Sequence, residues 1–178
     1  MKKEIKIFDY AEEIIKALEK GVLLTTKVND KINSMAISWG TLGIEWGKPI
    51  FTVFVREHRF THEQLDQSME FTINIPRGEY NKKIIGICGS KSGRDIDKIS
   101  ETGLTVVAGS SVGAPAFKEF PLTLECKVIY RQAQEPAFLG EENRKIFHPQ
   151  DVPYTNPMAN CDYHTAYYGE IVHAYIVE

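Results

Sequence analysis

The residues best suited to chemistry lie in one stretch, Asn33 to Thr61, which reads NSMAISWGTLGIEWGKPIFTVFVREHRFT. Asn33, Ser34, Met35, Ala36, Ile37 and Ser38 read as a strand that passes into a small-residue loop with Trp39, before a second, Pro-led strand. Such a segment offers backbone donors and short hydroxyls beside an aromatic ring, which suits a flat heterocycle. An ordinary strand whose Trp anchors the core is the competing reading. The stretch ends in Arg56-x-x-Arg59-Phe60-Thr61. Two guanidiniums, a hydroxyl and the start of a helix suit a phosphate, because the fork matches its oxygens and the helix dipole favours an anion. A solvated turn whose arginines pair with Glu57 or Glu63 is the alternative, and surface pairs of that kind contribute little.

Other candidates are weaker. His58 and His62 are four apart, but HEQLD lacks the second His of HExxH and no Cys or Asp cluster adds ligands, so no metal is assigned. Cys88 to Asp95, CGSKSGRD, holds glycines, a lysine and serines, yet not in the order GxxxxGK[ST] and with no strand leading in. Nucleotide triphosphate hydrolysis is therefore not indicated. Asp95 and Asp97 read as caps of the following helix. His164 starts the last strand and either faces a ligand or is structural, while His173 lies within that strand. Nothing declares a Ser-His-Asp or Cys-His arrangement, so no side chain is assigned a catalytic role.

Three ordered blocks, Asn33 to Thr61, CGSKSGRDIDK (Cys88 to Lys98) and HTAYYGEIV (His164 to Val172), resemble the flavin reductase-like family of FMN-binding split barrels, with flavoredoxin-type members the most similar. The resemblance spans most of the chain. It implies that Met35, Ala36, Ile37, Ser38 and Trp39, with Asn33 and Ser34 before them, line the isoalloxazine. By the same resemblance Arg56, Arg59, Phe60 and Thr61 meet the phosphate. It also implies that Ser90, Lys91, Ser92, Gly93 and Lys98 contact the phosphate or ribityl chain, and that His164 faces the ring edge or a nicotinamide. The family often has Asp-His before its final strand, whereas this chain reads Asp162-Tyr163-His164.

Several elements must position these groups. Asp9 and Glu12 suggest a capping box for a helix over residues 10 to 20, stopped by Gly21. VLLTTKV and INSMAISW flank a polar Asn29-Asp30-Lys31 turn and read as a hairpin. PIFTVFV reads as a buried strand, Thr61 to Gln67 as a helix with Thr61 as N-cap and Gln64 in the capping-box position, and EFTINI as an alternating strand. Helical spacing returns over Glu79 to Ile87 and near Asp95 to Ser100. LTVVAGS, PLTLECKVIYRQ and the terminal TAYYGEIVHAYIV read as strands, and Glu141 to Met158, with its charges, His148 and three prolines, reads as a surface excursion. Strands joined by hairpins and longer connections argue for a mainly β fold, an antiparallel Greek-key barrel with short helices outside. With the resemblance this is a split barrel, one domain over residues 1–178. A Rossmann domain lacks its GxGxxG turn.

Composition bounds the rest. The chain has 178 residues, 43% apolar and 25% charged, enough for one core and for solubility. The net charge of −3 and the absence of a basic block argue against nucleic acid or an anionic membrane as partner. The N-terminal segment lacks the apolar run of a signal peptide, and Cys88, Cys126 and Cys161 show no CxxC spacing, which fits a reducing cytoplasm. Cys88 stands out because it adjoins the proposed ligand loop. The expectation is a cytoplasmic homodimeric flavoprotein that takes hydride from NAD(P)H as transient donor and passes electrons through FMN to free flavin, a metal complex or a protein. A non-enzymatic flavin or haem carrier that docks a redox partner through residues 141–158 is the alternative.

Overall fold

The computed structural model describes residues 1–153 and 161–178. Ten strands and five α-helices follow in the order β1 (Lys2–Glu4), α1 (Ala11–Lys20), β2 (Val22–Val28), β3 (Lys31–Ile37), β4 (Gly40–Glu45), β5 (Lys48–Arg56), α2 (Phe60–Ser68), β6 (Glu70–Ile75), α3 (Lys83–Ser90), α4 (Lys98–Thr102), β7 (Val106–Val107), β8 (Ala116–Phe117), β9 (Leu122–Ala133), α5 (Glu141–Phe147) and β10 (His164–Val177). One sheet runs in the order β3-β2-β6-β9-β10-β5-β4, every pair antiparallel, with β1 added to β10.

The ends of that order explain the barrel. β3 and β4 are the outermost strands of the path, yet only Ser38 and Trp39 separate them in the chain. The sheet must therefore curl until its two edges meet at that link. Inside, alternate residues of β5, β6 and β9 pack as Phe51, Val53, Phe71, Ile73, Leu122 and Leu124, all fully buried. At Gly169 a register shift bends β10, and an added Cβ would lie 2.4 Å from Phe71 Cζ, so only glycine lets the ring approach there. A second apolar layer, with Leu23, Ile84, Cys88, Phe117 and Phe120, forms where α3 packs outside the barrel.

Several local expectations change. What reads as a small-residue loop is only Ser38 and Trp39, because Gly40–Glu45 pairs with β5 around a tight turn in which Trp46 and Gly47 both take positive φ, 52° and 70°. No side chain caps α1, since a 3-10 turn at Ile7–Tyr10 leads into it and replaces the expected capping box of Asp9 and Glu12. The helix expected over Glu79 to Ile87 runs later, over Lys83–Ser90, and the one expected near Asp95 to Ser100 starts at Lys98. Asp97, not Asp95, caps it, its carboxylate accepting from the N–H groups of Ile99 at 3.0 Å and Ser100 at 3.3 Å. LTVVAGS contributes only the two-residue β7. The expected surface excursion is exposed over Glu141–Phe147, where it forms α5, but His148 beyond it is buried. The end of that stretch lies outside the described residues.

Candidate functional site

Two cavities open where the sheet edges meet, and they share Met35, Ala36 and Arg59. Every residue expected to contact the cofactor except Ser34 lines one or both. The Ser34 hydroxyl turns inward to Thr25 Oγ1 at 3.0 Å, part of a buried polar chain that continues through Asn74 and Thr72.

The first cavity, about 250 Å³, lies among β3, the start of α2 and the Cys88–Lys98 segment. Of its cationic groups, Arg59 and Lys98 make no ion pair with a carboxylate among the described residues. Arg59 is the N-cap residue of α2 with extended backbone, and no side chain caps the first turn. Thr61 is therefore inside the helix, not its cap as expected, and its Oγ1 accepts from Asn33 Nδ2 at 2.8 Å. Gln64 reaches Thr26 Oγ1 at 2.6 Å and the Lys31 carbonyl at 3.1 Å instead of closing a capping box. Among the described residues the Arg59 guanidinium makes no hydrogen bond or ion pair, and burial holds its pKa below the usual arginine value, with Asp162 opposing. Lys98 is only 5% exposed, and its Nζ donates to the carbonyls of Ser34 at 2.9 Å and Cys88 at 3.0 Å. Burial pushes its pKa down to about 8, Cys88 opposing and Arg59 adding to the shift. Two of its three donors are thus committed to neutral carbonyls and none to an anion.

Close approach completes this end. A Cβ at Gly93 would lie 2.2 Å from Asn33 Oδ1, a buried atom without a hydrogen-bond partner among the described residues. Arg94 is not spare, since its guanidinium donates to the His58 carbonyl at 3.0 Å and pairs with Glu63 at 2.9 Å. The Ser90 hydroxyl donates to the Gly86 carbonyl at 2.7 Å, while Lys91 stays exposed at the rim.

The second cavity, about 290 Å³, is aromatic. Trp39 is 43% exposed, meets Phe147 edge-on at 5.1 Å between ring centroids, and lies 5.3 Å from the His164 ring. Thus Trp39 lines a cavity instead of anchoring the core. His164 is buried, and burial, with Arg56 and His148 adding, pushes its pKa down to about 3, so the imidazole is neutral at physiological pH. Among the described residues its Nδ1 has no hydrogen-bond partner. Arg56 lines this second cavity and not the first.

Sequence reasoning did not single out Phe147, or Asp162 as a link between segments. The Asp162 carboxylate accepts from the His58 N–H at 3.0 Å and lies 2.6 Å from its Nδ1. Burial alone would raise its pKa, but these contacts and Arg56 hold it below the usual carboxylate value. The Asp two positions before His164 was visible in the sequence, but its partners are 104 to 106 positions away and carry no local pattern.

A family model described as a flavin reductase like domain matches residues 18–178. The chain belongs to the flavin reductase-like domain family. Flavoredoxin of Desulfovibrio vulgaris (Miyazaki F) is similar to this flavin reductase-like chain, with a TM-score of 0.65 and 25% identity over 89% of this chain and 69% of that one. An NADH:FAD oxidoreductase of Streptomyces globisporus C-1027, solved with NAD and FAD fragments, shares the split-barrel fold at a TM-score of 0.60 and 17% identity, covering 88% of this chain and 74% of that one. An uncharacterised protein of Archaeoglobus fulgidus is 27% identical over 114 residues, 63% of each chain, so the flavin reductase-like chain spans less than two thirds of that relative's length.

Proposed function

We propose that the two cavities form one groove for FMN, with the phosphate at Arg59 and Lys98 and the ring beside Trp39 and His164. One observation carries the reading: Arg59, partnerless among the described residues, stands in both cavities. The residues fit the group in other respects. The uncapped start of α2 presents N–H groups beside two cations, the donor set a phosphate needs. Asn33 Oδ1 and His164 Nδ1 are buried polar atoms without partners among the described residues, and such atoms cost about 1–3 kcal/mol unless a ligand or water meets them. Glycine at 93 lets the Cys88–Lys98 segment close directly on Asn33 and Phe60, which brings its backbone to the edge of the first cavity.

When bound, FMN supplies the redox chemistry, accepting hydride from a nicotinamide and releasing electrons to an acceptor. The chain's own residues bind and orient: Arg59 and Lys98 fix one end, the β3 backbone from Met35 to Ile37 forms a floor, and neutral His164 offers a hydrogen-bonding atom without charge. The function that follows is NAD(P)H-dependent, flavin reductase-like oxidoreduction, with free flavin, a metal complex or a protein as acceptor. Kinship with the flavin reductase-like family, and the NAD fragment in a protein of the same fold, support the choice of donor.

The same proposal includes a homodimer. Trp46, Tyr130 and Tyr168 form an aromatic row, at centroid separations of 6.1 and 5.2 Å, beside the edge strand β4, where Ile44 and Trp46 are 70% and 60% exposed. A reducing cytoplasm agrees with three free, buried cysteines. Among the described residues no helix is long and apolar enough to cross a membrane.

Anaerobic spectra of the FMN-loaded protein before and after NADH or NADPH test the function. Bleaching of the flavin band with either nicotinamide is the expected outcome. Failure with both, together with reduction by a ferredoxin-like donor, would favour the carrier reading.

A further inference from the structure

Arg56 is 7% exposed and its fork is already engaged. Nη2 donates to the Phe147 carbonyl at 2.7 Å. Nη1 donates to the Asp162 carbonyl, and it lies 3.3 Å from His148 Nδ1 and 3.7 Å from the Asp162 carboxylate. One guanidinium at the end of β5 thereby ties down two segments about a hundred positions away, the end of α5 and the lead into β10. Those segments carry Phe147 and His164, the rings that face Trp39 across the aromatic cavity. His148 locks the arrangement further, lying 2.9 Å from the Asp162 carbonyl and stacking on Tyr163 at 4.9 Å.

We infer that Arg56 is a positioning residue: it holds the Phe147 rim at a fixed distance from Trp39, so that the gap admits the flat ring of a second substrate, a nicotinamide or a small planar aromatic, and it takes no part in holding phosphate. The inference rests on the flavin reading. The cavity floor is β3, so a ring lying on it leaves Trp39 and Phe147, both more than a third exposed, as the surface met by whatever arrives next. Arginine is required because only its planar fork reaches two main-chain carbonyls in different segments at once; lysine has the charge but not the span.

FMN-loaded wild type, Arg56→Lys and Phe147→Ala are compared for FMN dissociation constant, and for KM and kcat with the nicotinamide donor. Both variants are expected to keep FMN affinity within about threefold of wild type while KM rises about tenfold and kcat changes less, a tenfold change being about 1.4 kcal/mol. A tenfold or greater loss of FMN affinity in Arg56→Lys would make Arg56 a cofactor ligand and overturn the inference. Unchanged KM in Phe147→Ala would also overturn it, even if Arg56→Lys failed to fold, because the rim would then not meet the donor. Failure of wild type to retain FMN is a separate result, which strikes the flavin reading itself.

Discussion

Arg56 and Arg59 stand three residues apart at one corner of the barrel and are employed in opposite ways. Arg56 faces the aromatic cavity and spends its fork on Phe147 and Asp162, while Arg59 reaches both cavities and has no partner among the described residues. The difference follows from where each residue falls relative to the strand end. Arg56 is the last residue of β5 and pairs with His164 in register, so its side chain is enclosed by the β10 lead-in. Arg59 lies past the turn, at the start of α2, where it is half-buried but meets no carboxylate at ion-pair distance among the described residues. Two residues of one type in one motif thus divide into a strut and a cation that makes no ion pair among the described residues, and the second is the one proposed to meet the phosphate.

Removing each arginine separates the two roles. Arg59→Ala is expected to weaken FMN binding by about 1–3 kcal/mol, as loss of charge-assisted bonds would. Fluorescence titration checks it, and Arg56→Lys is expected to lie close to wild type in the same assay.

Lys98 gives the next effect, and it is read through pH. Its pKa is pushed down to about 8, so in the free protein it loses its proton as pH rises through that value. A phosphate prefers the charged form, so FMN affinity should fall as pH rises above about 8, by up to about tenfold per pH unit, whereas riboflavin affinity should hardly change. Lys98→Met should flatten the FMN profile. The stability of the unliganded protein moves the other way: the unfolded chain keeps this proton to higher pH than the folded one, so the Lys98 contribution improves between about pH 8 and 10.5.

His164 sharpens the contrast at the aromatic end. With its pKa pushed down to about 3, the folded protein keeps it neutral while the unfolded chain takes up a proton below about 6.5. Stability should therefore fall as pH drops from about 6.5 towards 3, and His164→Gln should lose part of that dependence in thermal melts at stepped pH. The smallest effect expected on flavin affinity is that of Trp39→Ala, about 1 kcal/mol or less, because the ring is partly exposed and stacks weakly, yet bound-flavin fluorescence should change clearly.

The strands were legible in sequence because alternation is local. EFTINI and the two long C-terminal strands, β9 and β10, need no distant information, and the hairpin of β2 and β3 is announced by Asn29, whose positive φ of 53° suits asparagine. Strand β4 was hidden because GTLGIE holds two glycines and only two large apolar residues, so its pairing with β5 decides its state more than its own propensity does. Arg59, Lys98, Trp39 and His164, picked out by residue type, line the two cavities. What each side chain does there was not legible. The commitment of Arg56 to Phe147, the inward turn of Ser34 and the burial of His148 all depend on partners far along the chain, and nothing in the local pattern of REHRF distinguishes its two arginines.

The groove is proposed to hold one flavin, with its phosphate at Arg59 and Lys98. Parallel titration of the purified protein with FMN and with riboflavin at pH 7 tests it most directly, since the two differ only in the phosphate. FMN should bind at least about tenfold more tightly, equivalent to about 1.4 kcal/mol, and Arg59→Ala should erase most of that preference. Equal affinity for the two flavins, or a preference untouched by the substitution, would contradict it.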